Sequence, residues 1–140
     1  MKSNFIGFFI IALLIVAVLF VFREPSEDWD VRYSYTVNDI EVFKVFPQPE
    51  QIAGEYIGTI IHFNETFETF KNKELAIFAT HRESGKRITI TEQVVSEYVN
   101  FERFTISLEV PLAGLWKYEF YLNDEFYGDI ILSINEDSEL

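Results

Sequence analysis

Two histidines, His62 and His81, are the only side chains in this 140-residue chain suited to proton transfer near neutral pH or to holding a transition metal. No pair of histidines stands at i,i+2 or i,i+4, the spacings that put two imidazoles on one metal. His62 alternates with Ile61 and Phe63, which predicts the outer face of a strand. His81 falls at a strand end beside Arg82. Both are expected as surface histidines near turns. The chain has no cysteine. That excludes a thiolate nucleophile, a thiolate zinc site, a disulfide scaffold and a lipid-modified cysteine anchor. A serine nucleophile usually comes with an elbow such as Gly-x-Ser-x-Gly, and neither Ser84 nor Ser96 has one. The six glycines include no phosphate-cradling loop. Carboxylates are abundant, densest at Glu65 with Glu68 and at Asp124, Glu125 and Asp129. Their spacing matches no EF-hand, so they are expected to be solvated loop charge. Asn64-Glu65-Thr66 is a glycosylation sequon, meaningful only in a eukaryotic secretory pathway. The expectation is therefore no catalytic residue, no metal and no cofactor.

Aromatic side chains remain. Phe63, Phe67 and Phe70 crowd one irregular stretch, and Tyr98, Phe101 and Phe104 another. Loops of β-proteins commonly carry binding residues, and rings give much of the energy at interfaces. Phe67, Phe70, Tyr98 and Phe101 are the candidate partner contacts. The alternative is that such rings fold back to plug an open end of the core.

The elements that would position them follow from hydropathy and charge. Residues 5–22 carry no charged side chain. As a helix they would reach about 27 Å, close to the ~30 Å hydrocarbon core of a bilayer. No pair of small residues at a cleavable spacing follows, so 1–23 is expected as an uncleaved transmembrane signal anchor. The 9 basic and 23 acidic residues after Arg23 leave a net charge of −14 there, which excludes nucleic-acid binding by bulk positive charge. Lys and Arg are nearly balanced across the apolar run. The acidic, cysteine-free remainder is assigned outside the cytoplasm, giving a single-pass cell-membrane protein; the opposite topology faces the cytosol. Residues 24–28 form a linker, 29–134 a domain and 135–140 an acidic tail.

Period-two alternation runs through the domain. It marks Val31, Tyr33, Tyr35 and Val37; Ile57, Thr59, Ile61 and Phe63; Leu75, Ile77 and Ala79; Ile88 and Ile90. It continues in Phe104, Ile106, Leu108 and Val110, then in Trp116, Tyr118, Phe120 and Leu122. Short strands with turn signals between them predict an all-β fold: an immunoglobulin-like antiparallel β-sandwich preceded by one transmembrane helix, with a small barrel as the alternative. For the last hairpin, a three-residue loop at 123–125 keeps all apolar residues on one face. It pairs Leu122 with Phe126, Tyr118 with Ile130 and Trp116 with Leu132, and sets the Phe120 ring over Gly128.

The segment from Val110 to Tyr121, continued at Phe126-Tyr127-Gly128-Asp129-Ile130, resembles the terminal hairpin of uncharacterised immunoglobulin-like extracytoplasmic proteins of Bacillus-type bacteria. The stretch from Ala79 to Lys86 resembles a hairpin turn in the same proteins. The resemblance implies a sandwich held outside the membrane and supplies no catalytic residue. Many of those proteins begin with a lipid-modified cysteine, so here the helix would be the anchor. The function expected is a membrane-anchored binding or interaction module without catalysis. Its partner would be an envelope protein or a wall polymer. The alternatives are an accessory or inhibitory subunit of a membrane enzyme complex, or a hydrolase or metal enzyme with an unrecognised site.

Overall fold

The computed structural model describes residues 27–137. The expected anchor at 5–22 lies outside them. Among the described residues no helix is long and apolar enough to cross a membrane.

Alternation dictates the strands. In β3 (Gly58–Phe63) Thr59, Ile61 and Phe63 are buried while Ile60 and His62 are exposed. β1 (Ser34–Val37), β2 (Ile40–Phe46), β3 and β6 (Phe104–Ser107) form one antiparallel sheet in that order. β5 (Arg87–Val94), β4 (Glu74–His81), β7 (Gly114–Leu122) and β8 (Glu125–Ile134) form the second. The chain crosses between sheets after β3, after β5 and after β6, so that β3 pairs with β6 and β4 with β7. The two inner faces meet across the core, where the Phe43 and Phe120 rings lie 4.5 Å apart. This is a β-sandwich, not a barrel.

Two rings tie the loop before β7 to that core. Trp116 Nε1 donates to the Leu112 carbonyl at 2.8 Å, and the Tyr118 hydroxyl donates to the Leu108 carbonyl at 2.8 Å. Burial pushes the Tyr118 phenol well above its ordinary value of 10.0. The folded state thus holds a proton that the unfolded chain releases near pH 10.0. The resulting stabilisation is complete below that pH and is lost as pH rises above it. Alkaline unfolding should therefore move to higher pH in Tyr118→Phe, relative to that variant's own stability at pH 7. An unchanged profile would show that Tyr118 is not the titrating group.

Three local expectations are corrected. The last hairpin has a two-residue turn, with Asn123 at φ 46° and Asp124 at φ 65°, and Leu122 faces Glu125. Such a turn matches the twist of the strands. A bulge then restores the faces: Phe120 pairs with Gly128 and Tyr121 with Phe126, leaving Tyr127 as the extra residue. Tyr118 with Ile130 and Trp116 with Leu132 stand as expected. Gly128 admits not the Phe120 ring but the rings of Tyr35 and Phe43, both 2.5 Å from where a Cβ would be. Finally, Val31 and Tyr33 are exposed, and only Tyr35 of that set packs on the core. The chain changes sheets here. Arg32 bridges Ile131 of β8, with its N–H 2.9 Å from that carbonyl, before β1 joins β2.

Candidate functional site

Antiparallel register sorts the loops into two poles. The chain comes in alongside the end of β8, at the pole that also holds the β4–β5 turn and the loop before β7. The opposite pole carries the β7–β8 turn, the β3–β4 connection and the β5–β6 connection. Each of those two connections contains one short helix, α1 (Phe67–Phe70) and α2 (Tyr98–Glu102). Neither has a side-chain cap, so packing holds them. In each helix two rings stand at i and i+3, where they share a face.

The structure brings all four expected contact residues together and divides them. Phe70 is 0% exposed and Phe101 8%, with ring centroids 4.6 Å apart. Both pack on Phe63 and close the core. Phe70 is thus sealed in the core as a plug, while Phe101 plugs the core and keeps only a small exposed edge. Phe67 is half-buried and meets Tyr98 edge-on at 5.7 Å. Tyr98 is 56% exposed.

Between the helices lies a cleft of about 520 Å³ lined by His62, Glu65, Phe67, Tyr98, Phe101 and Glu102, together with Phe63 and Thr66. Its floor is aromatic and two carboxylates stand among its lining. His62 reaches it from the exposed face of β3, where it was expected. Behind the wall, the bulged Tyr127 packs its ring on Phe43, Phe63 and Phe70. Burial pushes the Tyr127 phenol well up, and the nearby Glu65 charge adds to this. The phenol oxygen approaches Glu65 without reaching good hydrogen-bond geometry. Glu65 belongs to the carboxylates expected as solvated loop charge, and Glu102 carries no sequence signal; only their placement beside rings sets them apart. A larger groove of about 710 Å³ runs beside β1 and β2, lined by Tyr33, Glu41, Lys44, Phe46 and the prolines 47 and 49. Its mixed charges and scattered rings converge on no one chemistry.

His81 is not a surface histidine. It is 5% exposed, and its ring lies 4.9 Å from that of Trp116. Its Nε2 donates to the Ala113 carbonyl at 2.9 Å, since a carbonyl can only accept. Its Nδ1 then accepts from the Ser84 hydroxyl at 2.8 Å. The Ser84 distance suits a nucleophile–base pair. Yet Ser84 also accepts from the Lys86 N–H, and both ring nitrogens are engaged, Nδ1 in closing the hairpin turn and Nε2 in tying it to the loop before β7. Gly114, at φ 119°, gives the ring room: a Cβ there would stand 2.9 Å from Nε2. Among the described residues no group of three His, Asp or Glu side chains could hold a metal ion.

With this geometry in view, comparison with known proteins gives a fold and no family. A putative lipoprotein from Bacillus anthracis shares the sandwich. Its crystal structure superposes with a TM-score of 0.54 at 15% identity, over 77% of this chain and 87% of that one. A superoxide reductase (neelaredoxin) from Ignicoccus hospitalis gives a TM-score of 0.48 at 8% identity, over 69% and 80%. No family model matches the chain, and no curated protein does.

Proposed function

We infer that this protein is a membrane-anchored, extracytoplasmic interaction module, acting by capture of a partner and not by catalysis. The observation that carries this reading is the separation of the two poles. The chain comes in at one end of the sandwich, and the aromatic cleft opens at the other. Strand β7 has nine residues, so the poles stand about 30 Å apart. If residues 5–22 span the bilayer, the four residues 23–26 reach at most about 14 Å. The entry pole is then held near the membrane, and the cleft is presented away from it.

The strand pairing supports an immunoglobulin-type sandwich. In that fold the second and fifth core strands pair in one sheet, and the third and sixth in the other. Here β3 with β6 and β4 with β7 play those parts. The likeness to a putative lipoprotein fits a domain tethered outside the membrane. Without a cysteine, this chain would be tethered by its apolar run.

The topology is open to direct test. In cells stripped of their wall, added protease should digest the domain while leaving a fragment that contains residues 5–22 in the membrane. Protection of the domain in intact cells, or a mature amino terminus after Phe22, would overturn the anchored reading.

A further inference from the structure

The geometry points to a cationic occupant for the distal cleft: the guanidinium or ammonium head of a basic side chain on a partner polypeptide. This deepens the interaction-module reading and rests on it. The cleft has an aromatic lining in Phe67, Tyr98 and Phe101, and carboxylates at Glu65 and Glu102. Among the described residues lining it there is no lysine or arginine. A ring face attracts a cation through its quadrupole, and the attraction grows as water is excluded. Carboxylates beside the rings supply charge and hydrogen-bond acceptors for the same head group. An anion would meet repulsion from both carboxylates. A neutral apolar group would bury against the rings but leave the carboxylates without a gain.

The surroundings favour a polypeptide over a free small cation. The cleft is open to solvent at Tyr98 and Glu102, so its rings form no closed cage. Tyr98 beside it is 56% exposed and Val99 71%, an apolar margin larger than one head group needs. Further carboxylates, Glu68 and Glu97, are exposed on the same helices' flanks. A basic segment lying across α1 and α2 would place one side chain in the cleft and its neighbours against that margin.

The test uses the full chain in detergent micelles, titrated with acetyl-Gly-Gly-Arg-Gly-Gly-amide while the aromatic and amide resonances are followed by NMR. The citrulline counterpart, equal in shape but neutral, is the control. The arginine peptide should bind more tightly than the citrulline peptide by about 2- to 30-fold, the span of exposed to desolvated cation–π contacts. Tyr98→Leu and Glu65→Gln should each reduce that preference, with an unchanged melting midpoint confirming the fold. Equal binding of the two peptides would overturn the proposal. So would a preference that survives Tyr98→Leu, because bulk negative charge alone would explain it. Choline serves as a third probe, and tighter binding of choline than of the arginine peptide would overturn the polypeptide occupant. Any of these failures leaves the protease result untouched. An inward-facing domain would instead remove the module reading itself.

Discussion

Trp116→Ala should lower the unfolding free energy by about 3–5 kcal/mol, the usual range for deleting a fully buried large ring. Trp116 is 0% exposed, and its Cα faces Leu132 on one side and His81 on the other. The substitution removes three things at once. It opens a cavity in the sandwich, deprives the His81 ring of its neighbour at 4.9 Å, and frees the Leu112 carbonyl from its 2.8 Å bond. A small domain has only about 5–15 kcal/mol in all. The thermal midpoint of the full chain should therefore fall by more than about 10 °C. Trp116→Phe separates the effects, since it keeps most of the ring volume and loses the hydrogen bond. Losing one such bond costs about 1 kcal/mol, so this variant should lose about that much beyond the volume change. A midpoint that hardly moves in Trp116→Ala would mean that the ring is peripheral.

How far such a core can be read from sequence depends on the range of the interaction. Alternation is local, and it located β3, β4, β6 and β7 with the correct inward faces. It mistook the outer face of β7. Lys117 and Glu119 alternate as solvent residues do, yet they are 6% and 8% exposed. The chain entering the domain covers Lys117, where Trp29 lies over the ammonium at 4.6 Å, and Arg87 of β5 reaches across to Glu119. No period-two pattern reports a segment folding over from the far end of the chain. The bulge at Tyr127 was hidden for a different reason. One extra residue shifts every face, and sequence alone offers two loop lengths that differ by one. The three-residue loop keeps the faces constant, whereas the chain uses the turn that fits the twist and corrects the faces afterwards.

The candidate site divides in the same way. Its residue types were legible, since two clusters of rings in irregular stretches are unusual on loops. The i,i+3 spacing of Phe67 with Phe70 and of Tyr98 with Phe101 was also visible. Helices of four and five residues are too short to be recognised from periodicity. Without them nothing distinguishes the ring that plugs the core from the ring that faces solvent. Glu65 and Glu102 come from different connections and acquire meaning only when α1 and α2 are set side by side. His81 was misplaced because its partners, Ala113 and Trp116, come from another part of the chain.

Arg32→Ala should be as damaging as the loss of Trp116, by another mechanism. Asp129 is 1% exposed on β8, directly across from Glu119, so two carboxylates face each other on adjacent strands. Glu119 has Arg87 and the Tyr121 hydroxyl, the latter at 2.7 Å. Asp129 has Arg32, whose guanidinium donates both to its carboxylate and to its main-chain carbonyl. Its second carboxylate oxygen is buried and has no hydrogen-bond partner among the described residues. Removing Arg32 leaves a buried charge beside a like charge, and such changes cost about 3–5 kcal/mol. Replacing both partners with apolar residues, Arg32→Met with Asp129→Leu, should cost far less, because neither charge then has to be desolvated. A denaturant series on the full chain and the two variants measures the difference. If Arg32→Ala were no worse than the double change, Asp129 would not depend on Arg32. The pair also bears on the proposed role. Arg32 joins the incoming chain to β8, five residues after the first described position, so if residues 5–22 are the anchor this strand-edge contact would help set how the sandwich stands on it.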